Sequence, residues 1–108
     1  MNSINGKGIY IWKDGRQYEG EWKMNRMNGR GCMNWPDGRK YIGEYLSDKK
    51  HGYGQFVWPD GRCYQGEWQR GVQHGKGTYI HTNGIEQYGL WKEGNRIKWI
   101  DMQFTKTY

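Results

Sequence analysis

The chain contains no alanine, and leucine, valine, phenylalanine, proline and cysteine occur only twice each among its 108 residues. The apolar residues that best support helices are therefore missing, which excludes a helix bundle and argues against a doubly wound α/β fold. No stretch approaches the roughly 18 consecutive apolar residues of a membrane-spanning helix. Met1 to Tyr10 lacks the apolar segment of a secretory leader. Cys32 and Cys63 stand far apart with no CxxC, and read as ordinary thiols of a reduced, cytoplasmic chain. Aliphatic content this low would ordinarily mark disorder. Seven Trp and nine Tyr reverse that reading, because each ring can bury a large apolar area. The formal charge of +6 either keeps the surface soluble or attracts an acidic partner.

The 18 glycines are all repeat positions. Gly6, Gly29, Gly52 and Gly75 recur at one constant interval, and the series that begin at Gly8, Gly15, Gly20 and Gly71 keep the same interval. Tyr18, Tyr41 and Tyr64 hold this register, as do Trp22, Tyr45, Trp68 and Trp91, and Trp12, Trp35 and Trp58. The spacing divides residues 1–95 into a partial repeat 6–17, repeats 18–40, 41–63 and 64–86, and a partial repeat 87–95. Lys98 and Ile100 stand where the paired glycines should recur, so 96–108 reads as a C-terminal cap or tail.

Trp35-Pro36-Asp37-Gly38 and Trp58-Pro59-Asp60-Gly61 are turn sequences, with proline presetting one φ and glycine taking the left-handed position. Their flanks alternate as strands, so each repeat predicts a β-hairpin, and successive hairpins joined by short polar loops such as Leu46 to His51 predict an antiparallel meander. A bulge at Gly38 places Met33 opposite Tyr41 and Gly31 opposite Gly43. One face then carries aromatics with glycines between them, and neighbouring rings can cover the bare backbone. The other face opposes Lys7 to Glu21 and Arg30 to Glu44, which predicts cross-strand ion pairs. The fold expected is all-β: an elongated, single-layer antiparallel sheet of consecutive hairpins, with its aromatics lining an open trough.

The pattern Tyr-x-Gly-x-Trp, then Gly-x-Gly, then Asp-Gly, repeated in constant register over residues 6 to 95, is similar to the MORN (membrane occupation and recognition nexus) repeat. That resemblance implies an elongated hairpin array acting as a scaffold in cytoskeletal, ciliary or membrane-junction assemblies. It also implies a capacity, seen in some members, to bind acidic phospholipids or to self-associate. Gln87, His81 and Ile85 depart from the pattern in the fourth copy.

No constellation supports catalysis, a metal or a cofactor. Gly71 to Thr78 has the wrong spacing for a phosphate-binding loop. His51 and His74 share a column in the inter-hairpin loops without a recurring acidic or Cys partner. Asp14, Asp37 and Asp60 are explained by their turns. Two binding candidates remain. The aromatic face, with Tyr18, Trp22, Trp35, Tyr41, Tyr45, Trp58, Tyr64 and Trp68, suits a protein partner. The basic set comprises Arg16, Arg39 and Arg62 after the turns, and Lys23, Arg26, Lys49 and Lys50 in the loops of one edge. It suits acidic phospholipid headgroups. Nucleic acid ranks third, because rows of glutamate dilute the field. The open edge at Asn5 to Trp22 invites pairing with a second copy.

Overall fold

A computed structural model describes residues 3–100. They form nine strands in one antiparallel sheet: β1 Gly6–Ile11, β2 Gln17–Lys23, β3 Arg26–Asn34, β4 Lys40–Leu46, β5 Lys49–Val57, β6 Cys63–Gln69, β7 Val72–Ile80, β8 Glu86–Lys92 and β9 Asn95–Ile100. Each strand pairs with its sequence neighbours, as the hairpin reading requires, and the array measures 57 × 27 × 26 Å. β9 crosses the 95/96 boundary; residues 101–108 of the cap or tail lie outside the described residues.

The register is the one the glycines imply: Met33 opposes Tyr41, Gly31 opposes Gly43 and Gly54 opposes Gly66. At the Asp-Gly turns, the Gly38 amide donates to the Trp35 carbonyl at 3.1 Å and the Trp35 amide to the Arg39 carbonyl at 3.0 Å. Gly38, at φ 101°, supplies the left-handed bulge that closes this loop.

The opposite end of the sheet differs from expectation. Its connections are not loops such as Leu46 to His51 but two-residue turns, Met24-Asn25, Ser47-Asp48, Arg70-Gly71 and Glu93-Gly94. Both residues of each turn have positive φ, the geometry whose twist matches a hairpin. Lys23, Arg26, Lys49, Lys50, His51 and His74 are consequently strand residues. These turns also lock adjacent repeats together. The Asp48 amide donates to the Met27 carbonyl at 3.0 Å, and the Met27 amide returns a bond to the Asp48 carboxylate at 2.8 Å.

The expected ion pairs on the outer face do not form. Lys7 and Arg30 do oppose Glu21 and Glu44. A register shift in the ladder on the other side of each glutamate strand, however, turns the glutamates onto backbone amides. Glu21 accepts from the Arg30 amide, Glu44 from Tyr53 at 2.7 Å and Glu67 from Lys76 at 2.6 Å. The bulge leaves those amides without a ladder partner, and the carboxylate supplies one. Glu44→Ala is therefore expected to lower stability by about 1 kcal/mol, the net worth of one such bond. Glu44→Gln, which keeps an acceptor, should recover part of the loss. Urea midpoints of the three chains provide the check.

The aromatic face is not an open trough. The sheet twists and curls until its own rings fill it. Tyr18, Tyr41 and Tyr64 are 0% exposed, Tyr45 is 5%, and Trp22 and Trp68 are 7%. The rings run edge to face in one ladder, Trp22–Tyr18–Tyr45–Tyr41–Trp68–Tyr64–Trp91, with centroids 4.9–5.4 Å apart. That is the preferred aromatic geometry. Tyr18, Tyr41 and Tyr64 each lie across a glycine pair, and each hydroxyl donates to the carbonyl three residues on: Tyr18 to Glu21, Tyr41 to Glu44 and Tyr64 to Glu67, at 2.8–3.0 Å.

Candidate partner-binding face

The surface that remains on the aromatic side is built at the Asp-Gly turns. Trp12, Trp35 and Trp58 are half-buried there and pack against the core cluster. A guanidinium lies over each: Arg16 at 4.7 Å from the Trp12 centroid, Arg39 at 5.1 Å from Trp35 and Arg62 at 5.2 Å from Trp58. The turn aspartate completes the unit. Asp14, Asp37 and Asp60 each accept from the backbone amide of the arginine two residues on, at 3.0–3.1 Å, and from its Nε at 2.7–2.9 Å. That backbone amide above all, with the guanidinium adding to it, holds each carboxyl below its ordinary value against the opposing effect of desolvation. In the fourth repeat Asn83 keeps the amide bond to Ile85, but the arginine is gone.

The eight aromatic candidates thus divide. Tyr18, Trp22, Tyr41, Tyr45, Tyr64 and Trp68 are buried in the ladder, and Trp35 and Trp58 reach the rim. The basic candidates divide too. Arg16, Arg39 and Arg62 are ion-paired to the turn aspartates. Lys23, Arg26 and Lys49 are exposed on the two-residue-turn end, with no acidic partner among the described residues. A hollow of about 360 Å³ opens there, lined in part by Arg26, Lys49, His51 and Arg70, and among the described residues no carboxylate lines it.

Lys50 belongs to neither group. Its ammonium sits 5.5–5.6 Å from the centroids of Trp35, Tyr41, Phe56 and Trp68. Burial, and then the charge of Arg39, lowers its pKa from 10.5, while the four ring faces compensate the lost hydration. Reading Lys50 as one of a row of edge lysines missed this. The signal was in its column: Ile4, Met27, Lys50, Gln73 and Arg96 hold the same place in successive repeats, and Met27 is buried.

The features that resembled chemistry have structural places. Gly75-Lys76-Gly77 lies within β7, and the Glu93 amide approaches the His74 ring at 3.5 Å. Among the described residues no group of three or more His, Cys, Asp or Glu side chains could hold a metal ion.

The family model described as MORN repeat matches residues 1–15, 18–38, 41–61 and 64–86. No curated protein matches the chain.

Proposed function

The chain belongs to the MORN repeat family, and from that premise we propose that it is a non-enzymatic scaffold that binds protein partners along the rim of its aromatic side. MORN repeats are protein- and membrane-interaction modules. The observation that carries the reading is the threefold unit of Trp, Arg and Asp at Trp12, Trp35 and Trp58, presented at one end of the sheet with a fixed period. Half-buried tryptophans flanked by arginine are the side chains in which interface energy concentrates. Their internal ion pairs make the row nearly neutral, which suits a protein surface better than an anionic membrane. A cytoskeletal or ciliary assembly is the setting that membership in this family suggests.

The test is affinity capture with the chain as bait, followed by reconstitution with each purified captured protein. The Trp35→Ala, Trp58→Ala double variant is expected to lose binding while its far-ultraviolet dichroism keeps the sheet signature. Undiminished binding by the folded variant overturns the rim as the site.

A second reading, a peripheral module for acidic phospholipid headgroups, is favoured by the exposed basic end. Arg26→Glu with Lys49→Glu should then abolish sedimentation with acidic vesicles at physiological salt. Arg39→Glu with Arg62→Glu, which alters arginines already paired, should affect it less. Equal sedimentation by all three chains removes this reading.

A further inference from the structure

The internal repeat allows one site to be compared with its own copy. Around Lys50, four rings enclose an ammonium contributed by the chain itself. Advanced by one repeat, Trp35, Tyr41, Phe56 and Trp68 become Trp58, Tyr64, Tyr79 and Trp91, all still aromatic, but Lys50 becomes Gln73. The shorter side chain does not fill the space. A groove of about 430 Å³ opens between β7 and β9, walled by Trp58, Tyr79, Trp91 and Trp99 and bordered by Gln87 and Arg96.

Its charge is of one sign. Arg96 is exposed and stacked over Trp99 at 4.3 Å, and no carboxylate pairs with it among the described residues. Arg62 reaches the same groove, donating to the Tyr79 hydroxyl at 3.1 Å, but Asp60 already neutralises it. Among the described residues, no acidic side chain lines the groove.

We propose that this groove is a docking site for an acidic segment of a protein partner, with an apolar side chain inserted between the rings and a neighbouring carboxylate bound to Arg96. The inference rests on the scaffold reading and gives its partner a chemistry. Aromatic walls take the apolar side chain, a stacked guanidinium presents its N–H groups to a carboxylate, and the chain's overall charge of +6 steers an acidic segment inward.

The repeat also supplies the decisive variant. Gln73→Lys recreates in repeat 64–86 the plug that repeat 41–63 already accommodates, so the fold should tolerate it. It adds positive charge, so general electrostatic attraction would strengthen acidic binding, whereas occlusion of the groove must weaken it. The probe is a short peptide of glutamates around one phenylalanine, with glutamine and lysine versions as controls, followed through the tryptophan indole resonances.

The glutamate peptide is expected to bind, with shifts centred on Trp91 and Trp99, the glutamine version more weakly and the lysine version not at all. Gln73→Lys and Arg96→Glu should each weaken binding by about tenfold or more, the effect of losing a central contact. Tighter or unchanged binding by Gln73→Lys overturns the proposal. So does equal binding of the glutamate and glutamine peptides, or no binding at millimolar peptide. Partner capture that survives both groove variants but fails in the Trp35→Ala, Trp58→Ala chain removes the groove and leaves the scaffold reading standing.

Discussion

Gly54→Ala is expected to be among the most damaging single-methyl changes in the molecule, costing about 3 kcal/mol or more. Gly54 is buried on the aromatic face, directly beneath Tyr41. A methyl group there would overlap the hydroxyl and ring carbons of that tyrosine. Tyr41 has nowhere to go. Its hydroxyl is tied to the Glu44 carbonyl at 2.8 Å, and its ring is held edge to face between Tyr45 at 5.1 Å and Trp68 at 5.4 Å. Moving it would disturb the ladder in both directions. The backbone conformation at Gly54 is not the obstacle, since its φ is not in the left-handed region. Gly61 is the opposite case: φ is 97° and a methyl would meet nothing within 4 Å, so Gly61→Ala should cost only the left-handed penalty of about 1–2 kcal/mol. Urea midpoints give both values. A double cycle with Tyr41→Ala tests the cause: removing the ring should cost less in the Gly54→Ala background than in the parent, because the overlap leaves with it. Additive effects would place the damage elsewhere.

The same glycines explain why so much of the fold is legible in the sequence. A glycine inside a strand has to face something large, and columns at a constant spacing identify what that is. Gly31 beside Gly43, and Met33 beside Tyr41, follow from one Asp-Gly turn and a period of two. Curvature was not legible. A column of tyrosines is compatible with a flat sheet that exposes them and with a curled one that buries them, and only the accumulated twist of nine strands decides. The glutamate row misled for a related reason. Glu44 opposes Arg30 in one ladder, but the bulge in the next presents it with the Tyr53 amide, and a backbone donor without a ladder partner outcompetes a solvated guanidinium. The two-residue turns did leave a mark: the second residues, Asn25, Asp48, Gly71 and Gly94, are the types that accept positive φ. Reading that column would have moved the basic residues from loops onto strands. The buried Met27 in the column of Lys50 and Gln73 marks that column as facing the aromatic side, but the groove beside Gln73 could be seen only once the ring positions around Lys50 were known, because the column does not say which rings surround it.

A core built from tyrosines rather than aliphatics should fail in alkali. Burial, reinforced by the charge of Glu21, pushes the Tyr18 phenol up to about 12. Burial raises Tyr41, Tyr45 and Tyr64 still further. In the unfolded chain these phenols ionise near 10. Below that pH both states hold the protons and the four groups leave stability unchanged. Above it the unfolded chain releases phenolic protons that the folded chain retains, so stability falls as pH rises. With four protons released on unfolding, the slope approaches about 5 kcal/mol per pH unit. Lys50 acts in the other sense, since its lowered pKa makes the folded chain lose its proton first, but it contributes one proton against four. Domains of this size are stable by only about 5–15 kcal/mol, so the sheet is expected to unfold cooperatively within one to three units above pH 10. Urea midpoints at closely spaced values from pH 9 upward measure the slope directly. Tyr41→Phe, which keeps the ring and removes one titrating group, should lower both the stability at neutral pH and the steepness of the alkaline loss. A stability flat through pH 11, or a slope unchanged by that substitution, would show that the buried phenols do not govern the transition.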